Sequence, residues 1–166
     1  MTSAADPILV LTTGGTIDKL YFDALSEYQI GESIIARLLH MARVTQPFEI
    51  QEVLRKDSLE LTDEDRALIH ARVEAAATSR IVITHGTDTM TVTAQALADV
   101  SGKTIVLVGA LAPARFAESD ASFNLGMAFA TAQVASPGIY ITMNGTVFRA
   151  DAVIKDRARG AFMPKG

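Results

Sequence analysis

The chain contains no cysteine. That absence excludes disulfides, thiolate nucleophiles and cysteine-ligated metals, and leaves hydroxyl, carboxylate, imidazole and amine groups as the available chemistry. Positive charge is not in excess either. Fifteen Lys and Arg against 19 Asp and Glu give a formal net charge of −4, which argues against a nucleic-acid-binding surface and for a small-molecule partner. Long apolar runs are missing as well. Met1 to Pro7 has no basic region, and Ile8 to Leu11 after it is far shorter than a secretory core or a membrane span. The expectation is a soluble, cytoplasmic chain without a membrane partner. There are no repeats, linkers or low-complexity tracts, and 166 residues suffice for one domain burying roughly 70% of its unfolded surface.

What is present is an alternation of short apolar, β-branched runs with helical patterns. Strands are expected over Ile8–Thr12, Phe48–Leu54, Ile81–Thr84, Thr104–Gly109 and Ile139–Met143. Helices are expected over Glu32–Ala42, Asp63–Thr78, Thr91–Val100 and Ser122–Ala135. Thr62 with Asp65 reads as a capping box opening the second helix. Asn144-Gly145 between Met143 and Thr146 is a strong two-residue hairpin signal. The predicted class is α/β, a three-layer, mostly parallel sheet with helices on both faces, Rossmann- or flavodoxin-like, ending in an antiparallel hairpin. Asp18 to Glu27 lacks periodicity, carries Tyr21 and Phe22, and is expected to be a mobile lid or an irregular surface loop.

Two strands run directly into segments that carry chemistry. Thr12-Thr13-Gly14-Gly15-Thr16-Ile17 follows the first, and its glycines permit positive φ and close approach of backbone or ligand to Thr16. Thr84-His85-Gly86-Thr87-Asp88-Thr89-Met90 follows the third and sits at an expected helix N-terminus, a place biased toward negative charge. Taken singly, Thr87 and Asp88 also read as helix caps, and His85 as a satisfied turn histidine. If the strands are parallel, both loops leave the same sheet edge and Thr16 faces Thr87 and Asp88. Neither segment has GxGxxG spacing, and Gly102-Lys103-Thr104 precedes a strand, so no nucleotide fingerprint is present. No cofactor and no metal site are expected. A hydroxyl nucleophile needs a base, which a lysine could supply. Lys19, Lys56, Lys103, Lys155 and Lys165 are all open on residue chemistry alone.

Together with Val108-Gly109-Ala110, Asp120 with Phe123-Asn124-Leu125, and Met143 to Val147, these two threonine motifs resemble the L-asparaginase family of threonine-nucleophile amidohydrolases. The resemblance covers nearly the whole chain but only the larger, N-terminal domain of the usual two-domain member, so a short form with a single catalytic domain over residues 1–166 is expected. It implies hydrolysis of L-asparagine to L-aspartate and ammonia, without a cofactor, by a homo-oligomer that is a dimer or a dimer of dimers. Amide hydrolysis of another carboxamide such as glutamine, or a non-catalytic asparagine or aspartate sensor, is the alternative. In residue terms it implies that Thr16 attacks the amide and that Thr87, Asp88 and Lys155 form a second constellation. Tyr21, ahead of Tyr28, matches the lid tyrosine, and either Tyr21 or Lys155 removes the first proton. Gly15, Asp57, Ser58, Gly86, Thr87 and Asp88 are the implied substrate-binding positions, with Ser58 on the α-carboxylate and Asp88 on the α-amino group. Leu59 departs from the pattern, standing where many relatives have a polar residue that contacts substrate.

Overall fold

The computed structural model describes residues 5–22, 27–31 and 33–166. In chain order it has β1 (Ile8–Gly14), a 3-10 turn (Thr16–Asp18), β2 (Lys19–Phe22), β3 (Glu27–Ile30), α1 (Ile35–Met41) and β4 (Phe48–Lys56). A second 3-10 turn (Ser58–Glu60), α2 (Asp63–Ala75), β5 (Arg80–Thr84), α3 (Met90–Ala96), β6 (Thr104–Val108) and α4 (Ala121–Val134) follow. The chain continues through β7 (Gly138–Met143), β8 (Thr146–Arg149), a 3-10 turn (Ala150–Ala152), β9 (Val153–Asp156) and β10 (Ala161–Pro164).

Six strands form one sheet in the order β4-β1-β5-β6-β7-β8. The first five are mutually parallel and β8 closes the edge antiparallel to β7. Alternation along each strand sorts the core into two layers. Leu9, Leu11, Ile81, Ile83, Ile105 and Leu107 pack against α2 and α3, while Ile8, Val10, Val82, Val106 and Val108 pack against α1 and α4. Helices therefore cover both faces, as the pattern of strands and helices requires.

Sequential strands diverge at β1, with β4 on one side and β5 on the other. Such a switch point opens a crevice beyond the carboxyl ends of the flanking strands, and β1, β4 and β5 all discharge their loops there. The register of β1 on β4 shifts between Thr12 and Gly14, so Gly14 pairs with Lys56 and the strand tip is displaced just before Thr16. The capping box of α2 is formed, with Thr62 Oγ1 accepting from Asp65 N–H and the Asp65 carboxylate accepting from Thr62 N–H. At the hairpin, Asn144 and Gly145 both take positive φ, 52° and 68°, as a type I′ turn demands.

Several boundaries differ from expectation. Helix α2 stops at Ala75 because Ala76 is already extended, and α3 stops at Ala96 because the chain tightens into turns through Val100. Helix α1 begins at Ile35, and Glu32, where it was expected to begin, lies outside the described residues. In the described part of the segment after Asp18, β2 and β3 form an antiparallel ribbon with Tyr21 opposite Tyr28. A second ribbon, β9 with β10, had no expectation attached to it. Among the described residues, no helix is long and apolar enough to cross a membrane.

Candidate active site

Three loops converge at the crevice, and glycines let them touch. Gly15 has φ 88°, and a Cβ there would lie 2.4 Å from Gly86 N; a Cβ on Gly86 would lie 2.6 Å from Ser58 Oγ. Only glycine fits at either position, so the loops after β1, β5 and β4 stack in the order Gly15, Gly86, Ser58, backbone on backbone at the first contact and backbone on side chain at the second. Thr13 Oγ1 adds a tie by donating to Thr84 O at 2.7 Å. Thr16, one residue beyond Gly15, is partly exposed at this junction.

Lys155 arrives from β9. Its Nζ lies 2.7 Å from Thr87 Oγ1 and 2.7 Å from Asp88 Oδ1, and the Arg157 guanidinium stands 3.5 Å from the same carboxylate oxygen. The ribbon that carries Lys155 is held by Val153 and Phe162, both buried against the α2 and α3 face. Asn144 Oδ1 accepts Phe162 N–H at 2.7 Å, which ties the ribbon to the β7–β8 turn. Of the five lysines open on residue chemistry, Lys155 is the one bonded to Thr87 and Asp88.

Ser58 is buried, with its carbonyl accepting from Thr89 Oγ1 at 2.7 Å and its hydroxyl 3.4 Å from Thr89 N. Asp57, an expected substrate-binding residue, precedes Ser58 and already has two partners. It caps the 3-10 turn by accepting from Leu59 N–H at 3.0 Å and pairs with Lys19 Nζ at 3.2 Å. Burial pushes its carboxyl up, but the Leu59 N–H and the Lys19 ammonium outweigh that and hold it below its ordinary value. Leu59 is 63% exposed.

Neither Thr87 nor Asp88 caps a helix. The N-cap of α3 is Thr89, and the helix has seven residues, so both side chains are free of a capping role. His85 is the satisfied histidine of the plainer reading. It is fully buried, with Nδ1 2.6 Å from Gly86 O and Nε2 2.7 Å from Thr93 Oγ1. Desolvation lowers its pKa to about 4, so the ring is neutral at physiological pH.

Tyr21 lies in β2, and its side chain is outside the described residues, as are residues 23–26 of the expected lid. Tyr28 is exposed and stacks edge-on against Phe116 at 5.9 Å. Asp18, expected to open an irregular segment, is a buried anchor. Its carboxylate accepts Ile34 N–H at 2.9 Å, and its carbonyl accepts from Gly31 N–H and from Arg115. Burial raises the Asp18 pKa against the pull of the Ile34 and Ser33 hydrogen bonds. Asp120 and Asn124 support the site from behind. The Asp120 carboxylate accepts from Leu111 N, Ala112 N and Asn124 Nδ2, and Asn124 donates to Gly109 O at 3.0 Å.

The crevice thus holds a hydroxyl at a strand tip, a lysine–threonine–aspartate cluster on the adjoining loop and a buried serine on the third. Residues 7–163 match the family model "Asparaginase, N-terminal". The L-asparaginase of Thermococcus kodakarensis is 31% identical over 159 residues, 92% of this chain and 48% of that protein. Its solved structure superposes with a TM-score of 0.84, covering 95% of this chain and 51% of that one. Escherichia coli L-asparaginase 2 is 33% identical over 162 residues, covering 89% and 46%. The glutaminase-asparaginase of Pseudomonas fluorescens is 30% identical over 155 residues, covering 84% and 42%. The chain thus spans about half the length of the curated relatives it matches. With the family model matched from residue 7 to 163, the chain belongs to the asparaginase family through that family's N-terminal domain.

Proposed function

We propose that the chain is an L-asparagine amidohydrolase that forms L-aspartate and ammonia through a threonine ester. The observation that carries this reading is Lys155 Nζ 2.7 Å from both Thr87 Oγ1 and Asp88 Oδ1, at the loop that packs on Gly15. Thr16 Oγ attacks the side-chain amide carbon and loses its proton to a base, either Tyr21 or Lys155. The tetrahedral oxyanion is stabilised by backbone N–H groups of the Gly86–Thr87 segment. The base returns the Thr16 proton to the amide nitrogen, the carbon–nitrogen bond breaks, and ammonia leaves with an aspartyl ester remaining on Thr16. Water then attacks the ester carbon, and breaking the carbon–oxygen bond regenerates the Thr16 hydroxyl. Lys155 already donates to Thr87 Oγ1, so the Thr87 proton is free to point at the reacting amide. Asp88 binds the substrate ammonium and Ser58 its α-carboxylate, with the backbone of Gly15 and Gly86 packed beside them in the substrate site. Asp57 lines the substrate site beside Ser58 and caps the turn that carries it.

One catalytic unit of the N-terminal type, without cofactor or metal, acting in the cytoplasm as a homo-oligomer, completes the proposal. A coupled ammonia assay with asparagine and glutamine tests it, with Thr16→Ala as control. Thr16→Ala is expected to fold and to lose at least ~10³-fold in turnover, because the hydroxyl is the covalent nucleophile. Full activity in that variant overturns the mechanism. Equal or better turnover of glutamine favours the glutaminase reading, which the likeness to a glutaminase-asparaginase supports. Ligand binding without ammonia release favours a sensor.

A further inference from the structure

Helix α2 buries an arginine that the mechanism above does not use. Arg66 is 8% exposed, and its guanidinium donates to three neutral oxygens: Nε to Thr93 Oγ1 at 3.1 Å, Nη1 to Leu61 O at 3.0 Å and Nη2 to Thr89 Oγ1 at 3.1 Å. Among the described residues no carboxylate pairs with it. A buried charge is costly unless its hydrogen bonds are complete and specific, so these partners are the reason it is tolerated.

The partners lead to both sides of the crevice. Guanidinium only donates, so each threonine oxygen must accept from Arg66 and spend its single proton elsewhere. Thr89 spends it on Ser58 O at 2.7 Å. Thr93 spends it on His85 Nε2 at 2.7 Å, which leaves Nδ1–H to donate to Gly86 O at 2.6 Å. The Gly86 carbonyl is thereby held toward the buried ring. A planar trans peptide directs its N–H opposite to its carbonyl, so Thr87 N–H is aimed away from His85. Gly15, the residue before Thr16, packs on this same turn, its Cβ position lying 2.4 Å from Gly86 N.

Building on the asparagine hydrolase reading, we propose that Arg66 is a positioning residue with two separable arms. One arm, through Thr89, fixes the Ser58 turn that holds substrate. The other, through Thr93 and His85, orients the Thr87 N–H that receives the oxyanion. Charge alone does not suffice, because a lysine cannot span three acceptors in one plane.

Steady-state kinetics with asparagine on the full chain separate the arms. Thr89→Val is expected to raise KM about tenfold with little change in kcat, and Thr93→Val to lower kcat by about tenfold or more with little change in KM. Arg66→Met should show both effects, and Arg66→Lys should restore neither. A double variant Thr89→Val/Thr93→Val should lose nothing further when Arg66→Met is added. Equal KM and kcat changes in both threonine variants, or rescue by Arg66→Lys, overturn the proposal. If Arg66→Met does not fold, the two threonine variants still decide it. If the parent chain turns over no asparagine, the functional reading falls, and NMR tests Arg66 independently. Thr93→Val must then move the Thr87 amide and His85 ring-nitrogen signals and Thr89→Val must move the Ser58 carbonyl signal, and unmoved signals overturn the proposal.

Discussion

Lys155 Nζ donates to both Thr87 Oγ1 and Asp88 Oδ1, so it is the group that fixes both side chains. Removing Lys155 frees both, and removing Asp88 frees the lysine that holds Thr87. Lys155→Met and Asp88→Asn are each expected to lower turnover by at least ~10²-fold, with a combined loss far smaller than the product of the two. Multiplying losses in a double-mutant cycle would show Lys155 to be structural. His85 makes a separate claim about pH. Its folded pKa of about 4 lies below the ordinary 6.5, so the folded state binds this proton less readily than the unfolded chain. Its contribution is fully present above pH 6.5 and is lost as pH falls toward about 4, by up to about 3 kcal/mol. Denaturation of wild type and His85→Gln across that range should give a difference that shrinks with falling pH; a constant difference refutes it. Thr16, Thr87 and Asp88 were legible because glycine turns and hydroxyls at strand tips are local signals. Arg66 was not, because a charged residue in a helical pattern reads as solvated, and only the fold brings Thr89 and Thr93 to it.

At the level of elements, the sheet was legible because parallel strands covered on both faces must be continuous apolar runs, and Ile81 to Ile83 and Thr104 to Val108 are such runs. The β9–β10 ribbon was not, since Lys155 and Asp156 alternate with nothing that marks a half-buried strand. Its turn did carry a signal in Asp156, whose carboxylate accepts from Ala158 N and Arg159 N, and in Gly160 at φ 60°. The β7–β8 turn was recognised as a hairpin, but its second task, holding Phe162 N–H through Asn144 Oδ1, needs the tertiary structure. That task can be isolated. Asn144→Gly keeps the positive φ and removes only the acceptor, so it should cost about 1 kcal/mol of stability and lower kcat by letting Lys155 drift. An Asn144→Gly variant with wild-type stability and kcat would show that Phe162 and Val153 alone seat the ribbon.

On the scale of the whole molecule, the crevice rim and the β7–β8 edge leave apolar side chains in water. Leu59 is 63% exposed, Phe123 65% and Val147 47%, and Phe123 lies 3.7 Å from where a Gly145 Cβ would be, so α4 and the hairpin share one surface. Exposed apolar area such as this α4–hairpin surface marks contact sites, and a two-fold interface uses one patch twice. Self-association is therefore expected, as a dimer or a dimer of dimers, with Thr16, Ser58, Asp88 and Lys155 grouped within each subunit. Phe123→Asp should shift the assembly toward monomer in light scattering at assay concentration, because burying that carboxylate against its symmetry mate would cost several kcal/mol. If activity survives the shift, the catalytic group is complete in one subunit. If it disappears while the fold persists, a neighbouring copy contributes to the site. A parent chain that is strictly monomeric and fully active would remove assembly from the account, and saturation by micromolar asparagine would show that Leu59 costs nothing in substrate affinity.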